Sequence, residues 1–197
     1  MKFKVFGTDI KITFYFFAFL TLLVFTDKSG FFIPMMVAVL FHEAAHLITM
    51  RLVGCAPKEI VLIPASVRIV RGIAVKNTHE IAISLSGPLA NIMFFCIFYV
   101  CYLLFSYNAL LNFAIINLLI GAFNLLPVKG LDGGIILKKL CEIFMSEQKA
   151  NLTVNLCALI LAILLIFLGV RFLSASNGNF TPIIIGIYLI LSIIIKF

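Results

Sequence analysis

Residues 31–53 read FFIPMMVAVLFHEAAHLITMRLV, an almost unbroken apolar run interrupted by Phe41-His42-Glu43-Ala44-Ala45-His46. A helix that crosses a bilayer needs about 20 predominantly apolar residues, and this run supplies them. Ionisable groups inside such a helix are costly and mark functional sites by default. Their pattern is HExxH. On a helix, positions i and i+4 share a face, so His42 and His46 can bind one metal ion. Glu43 is then placed to act as base toward a water beside that ion. With three His and eight Asp and Glu in the chain, chance would supply the pattern on the order of 0.01 times.

The rest of the chain agrees with a membrane setting. It has 197 residues, of which 63% are hydrophobic and 12% charged, and its mean hydropathy is +1.22. A soluble domain is nearer half apolar and a quarter charged, and a disordered chain is polar, so both classes are excluded. Six apolar stretches run about 12–26, 31–53, 81–105, 109–127, 152–173 and 181–197. The expected fold is an all-α polytopic membrane protein of about six transmembrane helices, forming a single domain over 1–197. Lys2, Lys4 and Lys11 precede the first stretch, as in a signal peptide, but no small-x-small cleavage site follows Phe25. That stretch therefore reads as an uncleaved first span.

Two connecting segments are longer than turns. In 54–80, Glu59–Ile63, Ser66–Arg71 and Gly72–Val75 are rich in β-branched residues and bounded by Pro and Gly, which predicts short strands of a small sheet at the membrane face. In 128–150, a Gly-rich turn leads to Ile135–Phe144, read as an interfacial or short inserted helix. The net charge is +7. With the N-terminus inside and six spans, thirteen of the fifteen Lys and Arg fall on the inner side, leaving Lys28 and Arg171 outside. This predicts a multi-pass protein with both termini cytoplasmic. The usage, rich in Ile, Asn, Lys and Phe, suggests a bacterial cytoplasmic membrane. No basic run with interleaved aromatics points to nucleic acid. The five cysteines, with no CxxC, read as packing residues.

A catalytic zinc takes three protein ligands and keeps one position open. Besides the two imidazoles, the candidates are His79, Glu80, Asp9 and Asp132. Asp132 stands apart. It follows Asn124-Leu-Leu-Pro127 at the inner end of the fourth stretch and precedes Gly133-Gly134, where backbone can turn sharply and come close to a site. The topology puts it at the depth of His46, near the cytoplasmic face.

His42-Glu43-Ala-Ala-His46, then Ser86-Gly87-Pro88-Leu89-Ala90-Asn91, then Asn124-Leu-Leu-Pro127-Val-Lys-Gly-Leu-Asp132-Gly133 together resemble the site-2 protease family of intramembrane zinc metalloproteases, peptidase family M50. The three motifs cover about residues 31–145. With Leu62-Ile63-Pro64 between the first two, the layout looks most like the stage IV sporulation protein FB branch. Where the family has prolines nearer the aspartate, Lys129-Gly130 stand here, which suggests a softer loop around Asp132. Neither a CBS nor a PDZ domain is expected within the chain.

The resemblance implies a three-helix catalytic core made of the second, third and fourth stretches. It implies one Zn²⁺ held by His42, His46 and Asp132, with Glu43 as general base and proton shuttle. Asn124 matches a position thought to help hold the substrate or the oxyanion. Asn91 matches a polar position on the third core helix, either of that kind or a hydrogen bond between packed helices. The implied reaction is hydrolysis of a peptide bond in or near a transmembrane segment of a membrane-anchored regulator, with a regulatory membrane partner possible in principle. The strands at 59–75 offer an edge for an unwound substrate, by strand addition. A catalytically silent adaptor or chaperone of the same fold is the alternative, against which the intact ligand set and Glu43 argue. A transporter would be expected to show paired half-repeats, and none is visible.

Overall fold

A computed structural model describes residues 2–5, 8–63, 66–70, 75–175 and 181–194. The chain is mostly helical. In order come β1 (Lys2–Val5), β2 (Thr8–Ile12), α1 (Phe14–Thr26), α2 (Phe32–Leu52), β3 (Glu59–Ile63), β4 (Ser66–Val70), α3 (Asn77–Phe105), α4 (Asn108–Asn124), α5 (Asp132–Phe144), α6 (Glu147–Ala175) and α7 (Thr181–Ile194). Its contacts divide it into two compact units, Met1–Phe123 and Asn124–Phe197.

The six apolar stretches coincide with α1, α2, α3, α4, α6 and α7. Among the described residues, α2, α3 and the Glu147–Arg171 part of α6 are long and apolar enough to cross a membrane. The others are apolar but shorter. The expected short helix after the Gly-rich turn is α5. Large apolar side chains cover the outside of these helices, among them Leu104, Phe105, Ile160 and Phe167, as expected where lipid rather than water is the solvent.

In the first unit, α2 packs on α3 and α3 on α4. Phe41 of α2 lies 4.4 Å, centroid to centroid, from Phe94 of α3. Phe98 of α3 meets Phe113 of α4 edge-on at 4.6 Å. Below these rings Met50, Cys55 and Ile83 form a small buried apolar cluster. The entry to α2 is fixed by Asp27. Its Oδ1 accepts from the Ser29 N–H (2.9 Å), the Ser29 hydroxyl (2.6 Å) and the Gly30 N–H (3.1 Å), while Oδ2 accepts from the Phe32 N–H at 3.0 Å. Amide groups left over at a helix start are thereby satisfied.

The sheet is larger than expected. Its order is β1-β2-β3-β4. The predicted strands at 59–63 and 66–70 are present and pair antiparallel, Ile60 opposite Ile69. The 2–12 segment, expected only as a charged leader, forms β1 and β2. β2 runs parallel to β3, with Ile10 opposite Ile60, and Lys11 Nζ reaches Glu59 Oε1 at 2.6 Å. The alternation Lys2-Phe3-Lys4-Val5 and Asp9-Ile10-Lys11-Ile12 is a strand period of two, hidden by reading the lysines for topology. The third predicted strand, Gly72–Val75, falls mainly outside the described residues.

In the second unit, Val128, Ala158, Ala162 and Leu189 are the buried core. Gly169 and Gly186 let α6 and α7 approach: a Cβ on Gly186 would lie 2.6 Å from Ile166 Cγ1, and one on Gly169 2.5 Å from Ile183 Cγ1. Small residues at such a seam allow close helix packing in lipid.

Candidate metal centre

The HExxH motif lies on α2, with His42 and His46 one turn apart and buried, 4% and 7% exposed. Their Nε2 atoms stand 3.1 Å from each other. Each ring is held from behind through Nδ1. His42 Nδ1 faces Asn91 Oδ1 of α3 at 2.5 Å. His46 Nδ1 faces the Ile83 carbonyl of α3 at 2.7 Å. Ser86 donates its hydroxyl to that same carbonyl at 2.7 Å and lies 3.4 Å from His46 Nδ1.

These partners fix the tautomers. A backbone carbonyl only accepts, so His46 Nδ1 must carry a proton. Asn91 Nδ2 donates to the Ala38 carbonyl at 3.2 Å and to Asn117 Oδ1 at 2.9 Å. That orientation turns Asn91 Oδ1 toward His42, whose Nδ1 must also carry a proton. In neutral imidazoles both Nε2 atoms are then the unprotonated ring nitrogens, and they lie one turn apart on the same helix face. Two acceptors this close repel unless a cation or proton lies near them. A metal-binding histidine usually donates its other N–H to an oxygen in just this manner. The donor set therefore fits a divalent metal that accepts nitrogen ligands, such as zinc.

Gly87 of α3 makes room for the pair. A Cβ there would come within 2.5 Å of His46 Nε2 and 2.7 Å of His42 Nε2. Glu43, half-buried on α2, is adjacent to His42 in sequence. Three of the other candidate ligands lie in the same unit. Asp9 lies in β2, 3.8 Å from Lys2 Nζ. His79 is in the first turn of α3, about 12 Å along the helix from Gly87 at 1.5 Å per residue, and Glu80 follows it.

In the second unit, Asp132 opens α5, in its first turn, half-buried. A carboxylate is favoured at that helix end. Gly133 and Gly134 are buried, and a Cβ on either would strike backbone: the Leu125 carbonyl for Gly133, the Val128 carbonyl for Gly134. The segment 125–131 can thus lie directly on the first turn of α5. It closes in a turn in which the Leu131 N–H bonds the Val128 carbonyl at 3.1 Å and Gly130 has φ +93°. Positive φ at the third position is what a type II turn demands, and glycine provides it. Where Lys129-Gly130 were expected to soften this loop, Gly130 takes the positive φ that closes the turn. Asn124 is the last residue of α4.

Residues 105–168 match the model of peptidase family M50. A zinc metalloprotease from Methanocaldococcus jannaschii is 28% identical over 152 residues, covering 69% of this chain and 43% of the relative. The chain thus spans less than half the length of that curated relative. A solved site-2 protease from the same organism superposes with a TM-score of 0.68 over 98% of this chain and 93% of that one, at 24% identity. The likeness shows a shared fold. The two sequence matches point to peptidase family M50.

The motifs visible in the sequence do not account for everything that holds the histidines. Asn91 is fully buried, and its oxygen and both N–H groups are engaged by His42, Ala38 and Asn117. It is not turned toward a substrate or oxyanion, as one reading of the motif had it; it orients His42 and ties α3 to its neighbours. The Ile83 carbonyl carries no side-chain signal and was invisible to motif reading. Asn117 had a signal, an amide within an apolar run, which was passed over.

Proposed function

We propose that this chain is an intramembrane zinc metalloprotease, in which one Zn²⁺ is held by His42, His46 and Asp132 and Glu43 is the general base. The observation that carries the reading is the pair of buried imidazoles one helical turn apart, their Nε2 atoms 3.1 Å from each other and each ring backed by an oxygen on Nδ1. The likeness to M50 peptidases supports the protease assignment.

Zinc in this position supplies Lewis acidity toward a scissile carbonyl and the water that attacks it. The chain's own residues do the rest. Asn91 and the Ile83 carbonyl keep the imidazoles in the ligating tautomer. Glu43 takes a proton from the attacking water and returns it to the leaving nitrogen. Asn124 holds the substrate or the developing oxyanion. The substrate is a transmembrane segment of a membrane-anchored regulatory protein, unwound near the cytoplasmic face and received along the exposed edge of the sheet. The six apolar helices all cross the membrane, both termini are cytoplasmic, and residues 31–145 form the catalytic core of one domain. The ordering of the motifs supports placement near the stage IV sporulation protein FB branch, with regulated intramembrane proteolysis as the role.

The test pairs metal analysis with cleavage. Purified wild-type protein should carry about one zinc per chain, and His46→Ala and Asp132→Asn should lose it. Glu43→Gln should keep the zinc yet fail to release reporters from a library of single-span membrane fusions that wild type cleaves. Zinc absent from wild type, or cleavage surviving in Glu43→Gln, would overturn the proposal.

A further inference from the structure

The chain of amides behind His42 does not end at Asn91. Asn117 of α4 is also 0% exposed. Its Oδ1 accepts from Asn91 Nδ2 at 2.9 Å, and its own Nδ2 donates to the Phe113 carbonyl, one turn earlier on α4, at 2.9 Å. The series therefore has a direction. It starts at a backbone carbonyl, which cannot donate, so Asn117 must present its N–H₂ to Phe113 and its oxygen to Asn91. Asn91 must then present its N–H₂ to Asn117 and Ala38 and its oxygen to His42. His42 must hold its proton on Nδ1 and leave Nε2 bare.

We propose that Asn117 is a positioning residue that sets the tautomer of His42 through Asn91, so that α4 controls the ligating nitrogen on α2. The link from Asn117 to His42 runs through Asn91, so its effect is carried by the orientation of one amide. If Asn91 turns over, its N–H₂ meets His42 Nδ1. The imidazole then has to accept there and carry its proton on Nε2, where it no longer binds a metal. The Ala38 carbonyl opposes that rotation, and Asn117 is the second acceptor opposing it. An Asn in the middle of an apolar helix is expensive unless its polar atoms are satisfied. Here both side-chain amides are satisfied, by each other, His42 and the Ala38 and Phe113 carbonyls, in one sense only. Gly121, one turn further along α4, keeps the two helices close enough: a Cβ on it would lie 3.2 Å from Asn91 Cβ and 3.2 Å from the Pro88 carbonyl.

The inference rests on the metal reading above only for its functional consequence; the tautomer itself is measured without metal. In metal-stripped protein with ¹⁵N-labelled histidine, wild type should show His42 as the Nδ1-protonated form. Asn117→Leu should shift it to a mixture or to the Nε2-protonated form, with His46, anchored on the Ile83 carbonyl, unchanged. On titration with zinc, Asn117→Leu should bind about 10–100-fold more weakly, the usual cost of losing an outer partner of a metal ligand. Asn117→Asp should restore both readouts. Burial keeps that carboxyl neutral, so it can donate to Phe113 and accept from Asn91 as the amide does. If Asn117→Leu does not accumulate folded, Asn117→Ala removes the same acceptor without bulk and carries the same expectation. A folded variant with the wild-type His42 spectrum would overturn the proposal, as would Asn117→Asp behaving like Asn117→Leu. Failure of wild type to bind zinc at all would refute the metal reading and leave the tautomer result standing on its own.

Discussion

The buried seam of α2, α3 and α4 is polar, whereas the seam of α6 and α7 is apolar. In the first, His42, His46, Ser84, Asn91 and Asn117 are nearly or wholly excluded from the surface. In the second, Ala158, Ala162 and Leu189 fill the same kind of position. Both use glycine for close approach, but against different neighbours: Gly87 faces two imidazoles, and Gly186 faces Ile166. Lipid tails are as apolar as leucine, so small apolar side chains are enough to hold α6 on α7. A seam that buries five polar side chains has a cost that packing alone does not require. The contrast separates a structural seam from a chemical one within one chain.

The largest expected effect exploits the two glycines. Gly87→Ala puts a methyl group on the atoms proposed to bind metal, and should weaken zinc binding at least about 100-fold, beyond the loss of an outer partner. Gly186→Ala crowds an isoleucine and should lower stability by about 1–3 kcal/mol, the range for overpacking, with zinc content unchanged. Zinc titration and thermal melts of the two variants side by side check this. Equal loss of metal in both would erase the distinction between the seams.

Glu43→Gln should come next. It leaves the imidazoles and their backing oxygens in place, so zinc is retained, while cleavage of any substrate found should fall by about 10²–10⁴-fold, the usual contribution of a positioned acid–base. Asn91→Leu is expected to act the other way round. It removes the oxygen behind His42, and zinc affinity should fall by about 10–100-fold, with cleavage recovering toward wild type when zinc is in excess. Metal titration against initial rates separates the two. In the apolar seam, Ala162→Leu should change only the melting temperature.

What the sequence disclosed follows the same division. HExxH is legible because the atoms proposed to ligate and their spacing are written in residue types, and the six apolar runs because a helix in lipid needs length and little else. Asn117 was not singled out, because Asn108, Asn112, Asn117 and Asn124 all lie on α4 and nothing in the sequence says which one is buried against Asn91. The Ile83 carbonyl is backbone, so no residue type announces it. The strands at 2–12 were missed because their lysines served equally well as a charged leader, and only pairing with β3 decides between the two. Gly130 is ambiguous for a related reason: nothing in the sequence says whether a glycine takes the positive φ that closes a turn.

The smallest effect concerns the approach to the polar seam rather than the seam itself. Asp27 stands before α2, and its carboxylate accepts from the Ser29 hydroxyl and from the Phe32, Ser29 and Gly30 amides. The Ser29 hydroxyl first, and then the Phe32 amide, hold it below the usual carboxylate range. A carboxyl that binds its proton less readily when folded favours unfolding as it becomes protonated. Its contribution is therefore complete above the ordinary carboxylate value and fades as pH falls through the lower, folded one. Asp27→Asn should melt slightly below wild type near neutral pH, and the gap should close in acid. The group is only half-buried, in a turn outside the helix, so the gap is small and shrinks further in salt. Zinc affinity should not change with it, because the imidazoles are oriented by α3 and not by the turn that leads into α2. A melting gap that persists unchanged below the carboxylate range would show that the loop is held by its backbone alone. A change in zinc affinity would show that the entry to α2, and not only the polar seam, sets the geometry of His42 and His46.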